Sequence, residues 1–443
     1  MSEITISAAE RALERQRIGR LQLRVALLCA LVQAFDGYDI TSIGLATPSL
    51  IHFWSLPPAA FAKAFVMSSV GILVGALLSG PLGDRIGRKP LLVASTAIIG
   101  LFSLLSAFAP SLTVLVALRF FTGIGIGGAM PATVALTSDY TPGRHRGSFI
   151  MWMFAGNTLG GFLGGQLAAQ MLPHFGWQSI FLVGGVLPLL LVPVLTLALP
   201  ESPRFLLARG STSPGALRVL GGLGLAPSGG GAAEVDVARG NPVSALFAGG
   251  FARTTLLLWI MFFAGLLDLY LLGYWLPAVM HLSGLSPADS AFAASMQTAG
   301  GVLSILALGP LSRRFGAERV LSLSFALGAL FIAAIALPGL PYGLLLLAIF
   351  GAGAGTIGSQ LAANALCATL YPARIRSTGI GWALGIGRLG GIVGPALGGA
   401  LIAVGWSPKH IFLCACLGSV LAAAATILVG MRAGAPRHAL KGS

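Results

Sequence analysis

Long apolar stretches recur along the sequence, and each approaches the roughly 20 residues that a helix needs to cross about 30 Å of hydrocarbon. Of the 443 residues, 56% are hydrophobic and only 9% are charged, so the chain cannot present an ordinary soluble surface to water. Twelve stretches are predicted as membrane-spanning helices, at residues 22–48, 60–82, 91–109, 112–138, 147–171, 178–199, 254–280, 288–311, 319–337, 341–369, 377–404 and 410–431. The sequence therefore predicts an all-α membrane protein.

The basic residues lie mostly on one side of the predicted helices. Of the 27 Lys and Arg residues, Lys63 and Lys409 fall on one side, Arg119 and Arg388 fall inside helices, and the rest fall on the other side. Because short loops rich in Lys and Arg stay in the cytoplasm, this distribution predicts that both chain ends are cytoplasmic. The net charge of +14 then reports orientation in a lipid bilayer, and no nucleic-acid partner is expected.

The second half of the sequence repeats the first at an offset of about 229 residues. Matched positions include Asp39 with Asp268, Pro48 with Pro277, Gly80–Leu82 with Gly309–Leu311, and Trp177 with Trp406. An even number of helices in each half makes the halves parallel repeats, and in transporters built this way the substrate site lies between the repeats near the midplane. The repeat predicts two six-helix bundles around a central cavity.

The predicted organisation has two bundles, a linker and two terminal segments. These parts are a cytoplasmic segment at 1–21, an N-terminal bundle at 22–199, a cytoplasmic linker at 200–252, a C-terminal bundle at 253–431 and a cytoplasmic tail at 432–443. The run at 227–231 is rich in glycine, as expected of a linker. Small residues one helical turn apart, such as Gly71 and Gly75, predict close packing of helix backbones.

The turn after the second predicted helix carries a charged motif. Gly80–Lys89 reads GPLGDRIGRK and resembles the signature between helices 2 and 3 of the major facilitator superfamily. The resemblance implies a lock that closes the cytoplasmic side through charged side chains and helix ends. In the second copy Arg313 replaces Asp84, so that turn is expected to pair more weakly or differently. The implied gate residues are Asp84, Arg85, Arg88, Asp139, Arg144, Arg146, Arg314 and Arg376.

Pro200–Arg204, PESPR, resembles the motif that ends the first half in several branches of the superfamily, and it is interpreted as a boundary marker.

The first predicted helix narrows the resemblance. Asp36–Asp39 reads DGYD and resembles the DGxD signature of the aromatic acid:proton symporter family, and Arg119–Gly128 and Tyr371–Arg388 resemble the same family's helix 4 and its turn into helix 11. Members carry benzoate-type and phenylpropanoid acids inward together with protons. The resemblance implies a multi-pass, monomeric transporter of the bacterial inner membrane that takes up an aromatic carboxylate with protons by alternating access. A proton antiporter that exports a small organic solute or drug is the alternative.

Charged residues inside the membrane cost a few kcal/mol each and are candidates for function. Asp36 and Asp39 lie about 60° apart around a helix, so one face presents both carboxyl groups. Repulsion between two such groups favours protonation of one of them, so the pair and Arg119 are predicted to couple transport to protons. The alternative is that the acids pair with Arg119 and only set the packing of helices 1 and 4.

An aromatic carboxylate needs a cation for its head group and flat apolar walls for its ring. Arg388 is the predicted head-group ligand, and the alternative is a structural Arg388 that pairs with Asp268. The other candidate substrate residues, each of which is individually also explained by packing, are Tyr38, Asn157, Trp382, Gln360, Asn364, Tyr270 and Asp268.

Catalytic and metal sites are not indicated by the spacing of residues along the chain. The six histidines fall in loops or at helix ends without the spacing of metal ligands, at positions His52, His145, His174, His281, His410 and His438. The four cysteines fall in apolar stretches, where packing is the simplest explanation. The sequence predicts neither an enzyme nor a cofactor beyond the coupling proton.

Overall fold

The computed structural model describes residues 18–209, 213–222, 243–248 and 250–433, and within these ranges the regular structure is entirely helical. Three predicted parts lie wholly or mostly outside the described residues: positions 1–17 of the segment at 1–21, the glycine-rich run at 227–231, and positions 434–443 of the tail at 432–443. The long helices are α1 (Arg20–Trp54), α2 (Ala62–Ile86), α3 (Arg88–Ser106), α4 (Leu112–Tyr140), α5 (Gly143–Phe175), α6 (Gln178–Ala198), α7 (Ala252–Leu282), α8 (Pro287–Phe315), α9 (Ala317–Ile335), α10 (Tyr342–Leu370), α11 (Ala373–Ala403) and α12 (Pro408–Ala433). Two short helices, Pro203–Ala208 and Pro214–Gly222, follow α6.

Each of the twelve predicted spans coincides with one of these helices, so the all-α membrane fold predicted from the apolar stretches is confirmed. Ten of the helices within the described ranges are long and apolar enough to cross a membrane. The other two are α1 and α5, which carry polar residues in mid-helix, including Asp36, Asp39 and Asn157. These polar residues are among those that the sequence marks as functional.

The helix ends are defined by local chemistry. Gly87, at φ 102°, separates α2 from α3, and its repeat counterpart Gly316, at φ 92°, separates α8 from α9. Only glycine adopts such angles without strain, so one residue suffices to reverse the chain. Ser111 caps α4 by accepting a hydrogen bond from the amide of Val114, and Ser286 caps α8 in the same way.

The described residues form two compact units. The first unit draws on residues within 1–42, 67–161 and 177–238, and the second on residues within 43–66, 162–176 and 239–443. The end of α1 and the start of α2 pack in the second unit because Phe65 stacks on Tyr274, with ring centroids 5.0 Å apart. The units therefore cut across α1, α2 and α5, whereas the predicted bundles are divided in the linker.

Close backbone contacts hold helices together within each unit. In the first unit, a methyl group at Gly71 of α2 would lie 2.1 Å from the carbonyl oxygen of Phe120 in α4. In the second unit, the repeat counterpart Gly300 of α8 has the same relation to Phe350 of α10, at 1.9 Å. Such distances require glycine, and they agree with the small-residue packing expected in a membrane interior.

Candidate functional site

The two acids of α1 are both buried in the first unit. Asp36 is 0% exposed and Asp39 is 2% exposed, although an unpaired carboxylate is costly in an apolar interior. They lie one helical turn apart, yet their partners differ completely. This difference in partners determines what each acid can do.

Asp39 forms an ion pair with Arg119 of α4. Arg119 donates from Nη1 to both carboxylate oxygens, at 3.3 and 3.1 Å, and Ser103 Oγ donates to Oδ1 at 2.5 Å. Nη2 is satisfied by Ser106 and Thr122, at 2.9 and 3.0 Å, whereas Nε is buried without a hydrogen-bond partner. These hydrogen bonds offset much of the cost of burying the charge pair.

Asp36 has a neutral partner. Its Oδ2 accepts a hydrogen bond from Gln33 Nε2 at 3.0 Å, and the same amide also lies 3.2 Å from Thr133 Oγ1. Its Oδ1 is buried without a hydrogen-bond partner, and the described residues place no cation within ion-pair distance of it. A carboxylate without a cation is costly in such a site, so Asp36 lacks the compensation that Arg119 gives Asp39.

Tyr38 and Asn157, predicted to contact substrate, lie close to this acid pair. The hydroxyl of Tyr38 donates to the carbonyl of Ile180 in α6 at 2.8 Å, so it is occupied in this structure. α5 approaches α1 so closely that a methyl group at Gly37 would lie 1.8 Å from the carbonyl oxygen of Asn157. The amide Nδ2 of Asn157 is buried without a hydrogen-bond partner. Asn157 therefore keeps a side-chain donor without a partner. The hydroxyl of Tyr38 is already used, which leaves its ring for contact with a substrate.

In the second unit, Arg388 of α11 donates from Nη1 to the hydroxyl of Tyr270 in α7 at 3.1 Å. Tyr270 in turn packs on Tyr274, with ring centroids 5.8 Å apart. Two of the residues predicted to bind substrate are thus brought together. Their contact joins a cation to an aromatic surface, which is the combination an aromatic acid requires.

Asp268 takes a different position on α7. It is 0% exposed, and its Oδ2 accepts a hydrogen bond from the hydroxyl of Ser419 in α12. Since Asp268 and Tyr270 are two residues apart on a helix, their side chains leave it on nearly opposite faces. The structure therefore separates Asp268 from the Arg388–Tyr270 contact, although the sequence placed all three in one substrate site.

The remaining substrate candidates lie on α10 and α11. Gln360 is 7% exposed and lies against Gly265 of α7, and the side-chain oxygens of Gln360 and Asn364 are both buried without partners. Trp382 is 42% exposed and stacks on Trp259, with centroids 5.8 Å apart. The two amides therefore keep unused acceptor atoms, whereas one face of Trp382 is already covered.

A cavity of about 570 Å³ in the second unit includes none of these candidates. It lies at one end of the unit and is lined in part by Met280, Leu285, Tyr342 and Lys409. Its lining is largely apolar, and it contains none of the residues that the sequence marks for substrate or protons. We therefore assign it no role in transport.

The predicted gate residues Asp84, Arg88 and Asp139 come together in the first unit. Arg88 lies 3.8 Å from Asp84 and 3.8 Å from Asp139, and Arg204 reaches the second oxygen of Asp139 at 3.4 Å. Ser202 Oγ also donates to Asp139 at 2.5 Å. Asp139 is therefore the centre of this charged cluster.

Glu201 connects the cluster to the start of α3. Its carboxylate accepts hydrogen bonds from the backbone amides of Arg88 and Lys89, at 3.0 and 3.2 Å. A carboxylate at this end of a helix satisfies otherwise unpaired amides and complements the helix dipole. The sequence interpretation treated Pro200–Arg204 only as a boundary, and so it missed Glu201, Ser202 and Arg204 as members of the gate cluster.

The other gate candidates have separate positions. The carbonyl of Arg85 accepts a hydrogen bond from Arg209, Arg314 lies over the ring of Phe315, and Arg376 donates to the carbonyl of Tyr371. Arg144 is exposed and Arg146 is half-buried, and no ion pair of either occurs within the part of the chain that the structure describes. Within the first unit, Arg85, Arg144 and Arg146 therefore form no described ion pair with Asp139.

Comparison with known proteins places the chain in a family. The model of the Major Facilitator Superfamily matches residues 29–284 and 258–442. The chain is 38% identical to the 4-hydroxybenzoate transporter PcaK of Pseudomonas aeruginosa, over 97% of this chain and 98% of that protein. It is also 38% identical to the gallate transporter of Pseudomonas putida, over 94% of each chain.

A further relative and a solved structure agree with this. The 3-(3-hydroxy-phenyl)propionate transporter of Escherichia coli is 34% identical over 93% of this chain and 95% of that protein. The nucleoside transporter NupG superposes with a TM-score of 0.69 at 15% identity, covering 93% of this chain and all of that one, which supports the fold alone. The matches confirm the resemblance found in the sequence motifs: the chain belongs to the Major Facilitator Superfamily and is a membrane transporter rather than an enzyme.

Proposed function

We propose that this transporter carries an aromatic carboxylate into the cell together with protons, by alternating access. The relatives named above are transporters of 4-hydroxybenzoate, gallate and 3-(3-hydroxy-phenyl)propionate, and each of these is an aromatic acid. The substrate is therefore an anion with a phenolic ring. Protons are the coupling ion, and no other cofactor takes part.

The observation that carries the proton coupling is the difference between the two acids of α1. Asp39 has a cation as partner, whereas Asp36 is buried with only the amide of Gln33. A group in the position of Asp36 holds a proton as long as it is enclosed and releases it when water reaches it. Exposure to alternate sides of the membrane therefore converts Asp36 into a proton carrier.

Asp39 and Arg119 respond to this proton. When both acids are charged they repel each other, so the charged form of Asp39 needs the positive charge of Arg119 more strongly. A proton that moves to Asp39 weakens its hold on Arg119, and the contacts between α1 and α4 then change. The alternative role for these residues is to set the packing of α1 against α4. In this proposal the same contact is the one that changes when a proton binds.

The carboxylate of the substrate binds to Arg388. A guanidinium presents paired donors that match the two oxygens of a carboxylate, and Tyr270 holds one of its nitrogens in place. The aromatic surface of Tyr270 and Tyr274 lies beside this cation. The buried amides of Gln360 and Asn364 have unused acceptor oxygens that match ring hydroxyl groups.

The test compares two kinds of transport in proteoliposomes that contain the purified protein. Concentrative uptake of labelled 4-hydroxybenzoate is measured with the interior more alkaline than the medium, and substrate exchange is measured without a gradient. The Asp36→Asn protein is expected to keep exchange but to lose concentrative uptake, whereas Glu318→Gln, an acid-to-amide change in the first turn of α9, keeps both. Concentrative uptake by Asp36→Asn at the wild-type level would overturn the assignment of Asp36.

The direction of the gradient distinguishes uptake from export. A symporter accumulates 4-hydroxybenzoate when the interior is alkaline, whereas an antiporter accumulates it when the interior is acidic. Reversed dependence would replace our proposal with the antiporter. A cationic or neutral cargo that competes better than the aromatic acids would have the same effect.

A further inference from the structure

Two histidines that are far apart in the sequence meet in the second unit. His52 lies in the last turn of α1 and His281 in the last turn of α7, and their Nε2 atoms are 2.9 Å apart. The rings are nearly perpendicular, with an interplanar angle of 80°. Their separation of 229 residues equals the offset of the internal repeat, so they are equivalent positions of the two halves.

The hydrogen bonds of His281 determine where its proton lies. Its Nδ1 is 2.7 Å from the carbonyl oxygen of Leu285, and a carbonyl oxygen can only accept. Nδ1 therefore carries the hydrogen, and in the neutral ring Nε2 has a free lone pair. That lone pair accepts the hydrogen bond from His52 Nε2.

We propose that His52 and His281 form a binding site for a divalent transition-metal ion, in which the metal takes the place of the bridging hydrogen. Zinc–nitrogen bonds of about 2.0–2.1 Å in tetrahedral geometry hold two imidazole nitrogens about 3.3 Å apart. From the observed 2.9 Å the two nitrogens need to separate by about 0.4 Å, and each ring needs to turn by roughly 35° so that its lone pair points at the metal. His52 then carries its hydrogen on Nδ1, and its ring remains neutral.

The surroundings match those of metal-binding histidines. A ligating histidine usually donates its other N–H to a carbonyl or carboxylate, which fixes the ring, and His281 already does so toward Leu285. His52 is exposed and His281 is half-buried, so water has access to the remaining coordination positions. No cluster of three or more His, Cys, Asp or Glu ligands occurs in the part of the chain that was described. Two imidazoles favour Zn²⁺, Ni²⁺ or Cu²⁺ over Mg²⁺ or Ca²⁺.

Occupation of this site has a consequence for transport, which rests on the proposed function. The site joins the end of α1 to the end of α7, and in alternating access such contacts must open and form again in every cycle. A hydrogen bond between neutral rings breaks readily, whereas two metal–nitrogen bonds hold the helix ends together. The metal therefore inhibits transport.

The first experiment measures binding of ZnCl₂ to the purified full-length protein by calorimetry and by thermal shift. The wild type is expected to bind one zinc ion per chain and to be stabilised by it. His52→Gln and His281→Gln keep a hydrogen-bonding side chain but lose this binding. The matched control His174→Gln, which changes a histidine in the last turn of α5, keeps it. Absence of saturable binding to the wild type, or equal binding by all four proteins, overturns the proposal.

The second experiment measures uptake of 4-hydroxybenzoate with and without zinc. Inhibition of the wild type and of His174→Gln is expected, with recovery after EDTA, and His52→Gln is expected to resist. Binding without inhibition would leave the metal site intact but overturn its effect on transport. A failure of the proposed function would show as absent uptake before any metal is added, so the two failures are distinguishable.

Discussion

At the scale of single residues, Asp36 and Asp39 show how neighbours decide the behaviour of identical side chains. Asp39 neutralises Arg119, which is 1% exposed and buried beside the ring of Phe181, at 5.0 Å. Asp36 neutralises nothing, because its partner is the amide of Gln33. Replacement of either acid by its amide therefore changes a different property of the protein.

We expect Asp39→Asn to lower the stability of the protein by about 3–5 kcal/mol, because it leaves Arg119 as a buried charge without its partner. Asp36 has no cation to leave unpaired, so we expect Asp36→Asn, an amide of nearly the same shape, to change stability by less than about 1 kcal/mol. Thermal unfolding of both purified proteins in the same detergent checks this difference. Equal losses of stability would contradict the different roles that we infer from the partners of the two acids.

We expect Arg388→Lys to raise KM for 4-hydroxybenzoate on the order of tenfold, because a lysine cannot make the paired hydrogen bonds of a guanidinium and about 1.5–3 kcal/mol is lost with each bond to a charged group. Uptake kinetics in proteoliposomes provide the measurement. The control is Arg319→Lys, a conservative change at another arginine, in the first turn of α9. If KM changes equally in both proteins, Arg388 is not the ligand of the substrate head group.

At the scale of helices, packing depends on how closely the backbones approach. The contact between Gly71 and Phe120 joins α2 to α4, and the contact between Gly300 and Phe350 repeats it in the other unit. A side chain at either glycine must push the two helices apart, because the atom in its way is a backbone oxygen. The same substitution at a glycine that faces open space has no such effect.

We expect Gly71→Ala to destabilise the protein by about 1–3 kcal/mol, the usual range for overpacking of a tight interior. Gly147→Ala is the matched control, since a methyl group there has no atom within 4 Å. Thermal unfolding of the two variants checks the prediction. A loss of stability with Gly147→Ala as large as with Gly71→Ala would show that packing between α2 and α4 is not the cause.

The start of α3 depends in a similar way on one side chain. We expect Glu201→Gln to increase hydrogen exchange at the amides of Arg88 and Lys89, because their carboxylate acceptor is replaced by a weaker neutral one. Mass spectrometry of the peptide that contains these amides provides the measurement. Glu318→Gln is expected to leave that peptide unchanged. Unchanged exchange in Glu201→Gln would contradict the capping role.

The sequence was sufficient for the helices but not for most of their partners. The spans were predictable because crossing a bilayer imposes a length and a composition on every helix. The pair of Asp39 and Arg119 was foreseen as an alternative, since few cations are available inside the membrane. Ser419 beside Asp268 and Glu201 beside α3 were not foreseen, because they are brought together by tertiary packing rather than by spacing. The same holds for His52 and His281, whose positions in the chain show no ligand pattern.

At the scale of the whole molecule, charge determines orientation. The predicted topology places Lys409 outside and Arg313 in the cytoplasm, and both are exposed. We expect Lys409→Cys to react with a membrane-impermeant thiol reagent in intact cells, and Arg313→Cys to react only after permeabilisation. The native cysteines Cys29 and Cys367 are buried, and the parent protein measures the background. Labelling of Arg313→Cys in intact cells would reverse the orientation.

The turns at Gly87 and Gly316 also affect how the protein is made. Each leaves a single residue between consecutive helices, α2 and α3 in one case and α8 and α9 in the other. As the chain leaves the ribosome, neither helix of such a pair has a connecting segment long enough to enter the bilayer independently and then find its neighbour. We therefore expect each pair to insert as a helical hairpin, and a substitution at Gly87 or Gly316 to lower the amount of protein in the membrane.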